Sequence, residues 1–307
     1  MNKEIGAEMP ARQPNFFIVG APKCGTSAWV SYLSGHPDVF FTPRKEPHYF
    51  CTDFPNFRWA ETKDDYLALF EGAGDAPVIG EASIMYLYSR EAARQIHAFD
   101  EQAKILILLR GQGSFLPSYH NQILYTRNET NPDFAEVWRL SEQGLPRTIP
   151  ASCREPAILD YRAVGDFEAQ VARYIDTFPS RQLRVVWMED WRDDPGHLYE
   201  SLLDFLGLRH HKRESFAPVN TAYRHRSRLL SKFTNNPPSW VLGIARAAKR
   251  VLGAERLNIA AYLRRMNRAE GYAAVPPRHL KAQIDAHYRE ANGRLRARIA
   301  ELGIGYD

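Results

Sequence analysis

The segment Gly20, Ala21, Pro22, Lys23, Cys24, Gly25, Thr26, Ser27 carries the residue types that bind an anion through main-chain amides. Its glycines and proline make a tight loop, and a helical pattern starts at Thr26. A helix N-terminus offers unpaired N–H groups and the positive end of the helix dipole to phosphate or sulfate oxygens. Gly25 lets the backbone come close to such an anion. The nucleotide-triphosphate loop G-x-x-x-x-G-K-[ST] is matched at Gly20, Gly25 and Ser27, but Thr26 stands where its lysine belongs. The lysine of this loop is Lys23, inside the turn. That speaks against a P-loop kinase, which holds β- and γ-phosphates with the missing lysine and needs a carboxylate for magnesium.

Such a loop needs a strand before it and a helix after it. Phe16 to Gly20 is a short apolar run of strand formers, and 26–33 has a helical pattern. Strands are also expected at 78–82, 104–110 and 183–188, and helices near 61–71, 89–99, 115–127, 163–178 and 195–206. Ile105 to Leu109 is aliphatic without interruption, as in a parallel strand covered on both faces. Strands alternating with helices predict an α/β, P-loop-type three-layer fold with a central parallel sheet flanked by helices. Residues 1–15 read as a polar arm. Residues 16–307 read as a single domain with a core over 16–235. A basic helical C-terminal extension over 236–307 follows, with helices expected at 239–252 and 278–301.

Of the 307 residues, 44% are hydrophobic and 25% charged, which excludes a disordered chain, a coiled coil and a collagen-like repeat. No aliphatic run approaches the ~20 residues of a membrane-spanning helix. The N-terminal residues have no apolar leader core, and the three cysteines are too few and scattered for a disulfide framework or a zinc site. A cytoplasmic setting is expected, with no metal; the ten histidines form no spaced ligand set. The net charge of +4 is unevenly spread. From Arg209 to Arg268, fourteen Lys and Arg face only Glu214 and Glu255. A block of that charge suits an anionic partner, and its plainer reading is a solvated helical face. Trp240 to Leu252 is read as an intramolecular packing helix; its alternative is peripheral contact with the inner membrane face.

The stretch FIVGAPKCGTSAWVSYLSGHP resembles the 5′-phosphosulfate loop of sulfotransferases that use 3′-phosphoadenosine 5′-phosphosulfate (PAPS). The family motif, close to P-K-[SAC]-G-T-[TS]-x-[LW], is matched by Pro22, Lys23, Cys24, Gly25, Thr26, Ser27 and Trp29. The resemblance implies that Lys23 meets the bridging oxygen of the leaving phosphate, where negative charge grows as the S–O bond breaks. It also implies that Arg110, ending the ILILL strand, and Ser118, eight residues on, grip the 3′-phosphate. The family usually has Asp/Asn-Pro after this arginine; here Gly111 and Gln112 follow.

Arg44 to Phe50, RKEPHYF, resembles the K-E-x-H-[FY]-F segment of the heparan-sulfate-type and related bacterial branch. There the glutamate is the general base, which implies that role for Glu46, with His48 beside it. Gly80 to Ser83, GEAS, resembles a strand end that carries E-K-S in the glycosaminoglycan enzymes; Ala82 replaces the lysine, and Glu81 is the runner-up base. Phe216 to Ser227 resembles the basic loop that closes over the PAPS phosphates, with Arg224 and Arg226 as its contacts. Together these segments span about residues 15–235.

The function implied is sulfuryl transfer from PAPS, without a metal, to a hydroxyl of a carbohydrate or glycolipid. A small natural product is the alternative acceptor. A P-loop kinase and a non-catalytic binder of anionic glycans are the competing classes. No nucleic-acid-reading module is present in the sequence. The sequence carries no sign of the oligomeric state.

Overall fold

A computed structural model describes residues 12–144, 148–217, 223–225, 268–270 and 277–306. The chain divides into two compact units. Among the described residues the first comprises 12–115, 162–217 and 281–306. The second comprises 116–161, 223–225, 268–270 and 277–280.

The first unit is built on a sheet of five parallel strands. Strand β1 (Phe16–Gly20) leads through the anion loop into helix α1 (Thr26–Leu33). Strand β2 (Val39–Phe41) follows, then the short helix α2 (Lys63–Leu67), which Thr62 caps by accepting from the Asp65 N–H. Strand β3 (Val78–Ala82), helix α3 (Ala92–Phe99) and strand β4 (Lys104–Leu109) come next. Helix α4 (Gln112–Tyr125) runs on into the second unit. The second unit contains helix α5 (Phe134–Leu140). The chain returns to the first unit through helices α6 (Tyr161–Gly165) and α7 (Phe167–Ile175) and strand β5 (Leu183–Trp187). Helices α8 (Met188–Trp191) and α9 (Pro195–Leu206) follow. Strands β6 (Tyr223–His225) and β7 (Arg268–Glu270) form a two-stranded antiparallel ribbon. Helices α10 (Arg278–His287) and α11 (Arg289–Glu301) end the chain.

The strand order is β2-β3-β1-β4-β5. The expected α/β architecture with a parallel sheet between helices is what the structure shows. The middle strands are buried on both faces: all of β1 and β3, and Ile105 to Leu109 of β4. This is why they read as apolar runs and not as alternating patterns. In a sheet of this kind the ligand crevice lies beyond the carboxyl ends of the strands, where connections leave in opposite directions. Here β1 has β3 on one side and β4 on the other, so the loop after β1 sits at that point.

Several boundaries differ from the sequence reading. The expected helix at 61–71 is α2 followed by a 3-10 turn over Ala68–Ala73. The one at 163–178 is two helices, broken where Asp166 caps α7 by accepting from the Ala169 N–H. The C-terminal helix breaks at Tyr288 into α10 and α11. Strand β2 and helix α5 were not foreseen, since three residues of strand and seven of helix give too little periodicity to read. The helix expected at 239–252 lies outside the described residues.

Candidate active site

The sequence-derived site residues of the first unit lie at the carboxyl ends of the parallel strands. Lys23 follows β1, Glu46 and His48 follow β2, Glu81 is in β3 and Arg110 follows β4. The anion loop takes its shape from two left-handed residues, Lys23 at φ 61° and Gly25 at φ 89°. Gly25 is the N-cap of α1 and offers no side-chain cap, so the first N–H groups of that helix have no intrahelical acceptor. A side chain at Gly25 would meet the Trp191 ring at 3.1 Å, and Trp191 packs edge-on against Trp29. Gly25→Ala is therefore expected to destabilise the protein by ~1–2 kcal/mol through its left-handed backbone alone. The crowding against Trp191 adds to this. A lowered unfolding midpoint in scanning calorimetry is the check.

Lys23 and Arg110 are half-buried cations, and among the described residues neither has a hydrogen-bond or ion-pair partner. Burial lowers the pKa of Lys23, and the Arg110 guanidinium lowers it further; the Cys24 thiol and the Glu46 carboxylate oppose the shift. Two like charges held within electrostatic reach of each other, beside uncapped helix amides, make a strong demand for an anion. Cys24 itself points into the core. Its thiol donates to the Pro22 carbonyl at 3.4 Å, its main-chain N–H donates to the Ala21 carbonyl, and burial raises its pKa far above the usual thiol range. It packs the loop and is not a nucleophile. Thr26 is buried and Ser27 half-buried at the start of α1.

Glu46 and His48 lie on a loop that is also strained, at φ 59° and φ 51°. Among the described residues, four without the freedom of glycine have positive φ, and Lys23, Glu46 and His48 are three of them. Backbone strain of this kind costs ~1–3 kcal/mol per residue and concentrates where a side chain must be aimed. His48 Nε2 lies 3.6 Å from Glu46 Oε2, while its Nδ1 is buried with no hydrogen-bond partner among the described residues. The Glu46 side chain keeps 39% of its surface open. The pairing within the segment is thus Glu46 with His48. Lys45, whose pKa burial lowers, makes no ion pair with Glu46, though that carboxylate partly offsets the shift.

Glu81 is fully buried within β3 and cannot reach an acceptor from there. Ser118 is buried on α4, in the second unit. Arg224 is in β6, paired in register with Ala269, and Arg226 lies outside the described residues.

Other residues of the site have no sequence signature. The Trp59 indole N–H donates to the Glu46 carbonyl at 2.9 Å, and the Arg44 guanidinium lies 3.5 Å over the Trp59 ring. Glu189 of α8 accepts from the Gly111 N–H at 3.1 Å, and Asp285 of α10 accepts from the Gly113 N–H at 2.8 Å. These carboxylates occupy amides at the start of α4, next to Arg110 at the end of β4. Among the described residues no group of His, Cys, Asp or Glu is arranged to hold a metal, and no helix is long and apolar enough to cross a membrane.

No protein-family model matches the chain. Over 197 residues it is 25% identical to the human heparan sulfate glucosamine 3-O-sulfotransferase 3B1, covering 64% of this chain and 46% of that protein. Over 250 residues it is 24% identical to the rat carbohydrate sulfotransferase 15, covering 64% of this chain and 44% of that one. The chain thus spans about half the length of the curated relatives it matches. The crystal structure of a sulfotransferase from Alicyclobacillus acidocaldarius superposes with a TM-score of 0.58 at 28% identity, covering 81% of this chain and 99% of that one. An anion loop without the kinase lysine, the five-stranded parallel sheet that carries it, and these relatives point the same way: the chain is similar in sequence and fold to sulfotransferases.

Proposed function

We propose that the protein transfers a sulfuryl group from PAPS to a hydroxyl of a carbohydrate or glycolipid. The observation that carries this reading is the pair Lys23 and Arg110, without a partner among the described residues, with Lys23 in the loop that leads into the uncapped N-terminus of α1. PAPS supplies the sulfuryl group and a leaving phosphate, and it brings negative charge to just such a cluster. Lys23 and the amides of Gly25, Thr26 and Ser27 hold the phosphosulfate end. Arg110 takes the 3′-phosphate, since a guanidinium offers two parallel donors to phosphate oxygens; Ser118 is assigned to that phosphate from the sequence resemblance alone. Arg224 and Arg226 are assigned to the same phosphates from the loop resemblance.

On the acceptor side, Glu46 removes the hydroxyl proton as the oxygen attacks sulfur. It is open to solvent on one side and held by His48 on the other, which suits a base that must meet a substrate. The proton leaves on Glu46, and the electron pair of the breaking S–O bond leaves on the phosphate that Lys23 stabilises. A carbohydrate acceptor is supported by relatives named for heparan sulfate glucosamine and carbohydrate.

The test is calorimetry with adenosine 3′,5′-bisphosphate, the spent donor, in the absence of magnesium. The wild type is expected to bind. Arg110→Ala is expected to weaken binding by ~100-fold, the cost of one charged contact to a buried phosphate. A folded wild type that binds nothing would sink the sulfotransferase reading. Binding of ATP with magnesium instead would favour the kinase.

A further inference from the structure

The role of Glu81 is not explained by the proposed reaction, since it touches neither donor nor acceptor. Its surroundings are unusual for a strand residue. Glu81, Tyr66 and Tyr86 are each completely buried. The Tyr66 hydroxyl donates to Glu81 Oε2 at 3.3 Å, and the side chains of Tyr86 and Ser83 lie near enough to this carboxylate to favour its charged form.

Two of those hydroxyls also receive the loop that carries Glu46. The His48 N–H donates to Ser83 Oγ at 3.0 Å, and the Phe50 N–H donates to Tyr86 Oη at 3.4 Å. The Glu46 N–H donates to the carbonyl of Ala82, the neighbour of Glu81, at 3.2 Å. Tyr66 closes the third side: its ring stacks on Tyr49 at 4.4 Å and meets Phe50 edge-on at 5.3 Å. Alternate residues of the loop are thus tied to the end of β3 and the turn after it.

The direction of these bonds gives Glu81 its importance. A hydroxyl has one hydrogen and can accept through its lone pairs. Ser83 and Tyr86 accept from the loop amides, which leaves the hydrogen of each hydroxyl free to turn to the Glu81 carboxylate beside them. Chains of this kind polarise and reinforce one another. We propose that Glu81 is the positioning residue of the base-bearing loop, holding Glu46 and His48 in their strained conformation through Ser83, Tyr86 and Tyr66.

The electrostatics agree with that geometry. Burial raises the Glu81 pKa to about 7, against the pull of the three hydroxyls, and the charge of Glu46 adds to the rise. Oε1 has no hydrogen-bond partner among the described residues, which is why burial prevails. The groups facing Glu81 are Tyr66 from α2, Ser83 and Tyr86 from the turn after β3, Glu46 and Cys51 from the loop, and Tyr174 from α7. Burial raises the pKa values of Tyr66, Tyr86, Cys51 and Tyr174. The tyrosines therefore remain hydrogen donors. As pH rises through about 7, Glu81 becomes an anion and a stronger acceptor, and the loop is held more tightly.

The significance for catalysis rests on Glu46 as the base, but the test does not. Amide hydrogen exchange of the full chain reads the 46–50 segment directly. Tyr86→Phe deletes one hydroxyl, and Glu81→Gln keeps the size but loses the charge. Both are expected to speed exchange of the 46–50 amides by ~10-fold, with β1 and β4 unchanged. After correction for intrinsic chemistry, protection of this segment should rise with pH through neutrality in the wild type and stay flat in Glu81→Gln. Binding of adenosine 3′,5′-bisphosphate should be the same in all of them. If Glu81→Gln does not fold, Tyr66→Phe and Tyr86→Phe decide. Wild-type exchange at 46–50 in the folded variants, a uniform loosening of the whole sheet, or the same pH response with and without Glu81 would overturn the proposal. A wild type that fails to bind the bisphosphate would overturn the sulfotransferase reading and leave the loop result standing.

Discussion

Lys23→Ala is expected to lower the rate of sulfuryl transfer by about three orders of magnitude, the upper range for removing one preorganised charge from a site of charge development. The loss should fall mainly on kcat. In the proposed reaction Lys23 would meet growing charge on the leaving phosphate, so its contribution is expected to be larger in the transition state than in the bound donor. Affinity for adenosine 3′,5′-bisphosphate should therefore suffer less than in Arg110→Ala. Removing Lys23 even relieves Arg110 of a like charge, since the two are electrostatically coupled. Lys23→Arg should restore little, because a planar guanidinium cannot take the place of a compact ammonium at φ 61° in a tight loop. The pH profile gives a second check. Burial and Arg110 lower the Lys23 pKa, so the free enzyme should lose the ammonium at a lower pH than an ordinary lysine does. The alkaline limb of kcat/KM is expected to begin correspondingly early and to be absent from Lys23→Ala. Equal losses in kcat and in bisphosphate affinity would assign Lys23 to binding alone.

Glu46→Gln is expected to reduce kcat by ~10²- to 10⁴-fold, the range for general base catalysis. The fold should tolerate it, because the side chain is partly open and its ion pair is with His48 alone among the described residues. Donor binding should hold or improve slightly. The Glu46 charge is felt at Lys23, so its removal takes a repulsive charge away from the phosphosulfate site. A variant with unchanged kcat would remove Glu46 from the reaction. Glu81 is not available to replace it, being sealed within β3.

Much of this site is legible along the chain because its parts are local. The anion loop is eight consecutive residues between an apolar strand and a helix, and its chemistry follows from that order. Lys23 shows itself by being displaced from the position a kinase requires. Glu46 and His48 are two residues apart in one short segment, and Arg110 ends the most apolar strand of the chain. The alternation of apolar strands with helices is likewise local, so the α/β class could be read without coordinates.

What required the tertiary structure is whatever depends on neighbours distant in sequence. No spacing shows that Glu81 is sealed from solvent while Glu46 is open, yet that difference in burial is what assigns them different roles in the proposed reaction. Trp191 beneath Gly25 and Trp59 beneath the Glu46 carbonyl come from elsewhere in the chain and lack any motif of their own. Glu189 and Asp285 take up amides of α4 from helices far along the sequence. The left-handed backbone at Lys23, Glu46 and His48 is disfavoured by the residues' own preferences. Only the surrounding contacts hold it there. Local order in the sequence specifies which groups meet the anion; long-range packing specifies their exposure, charge environment and aim.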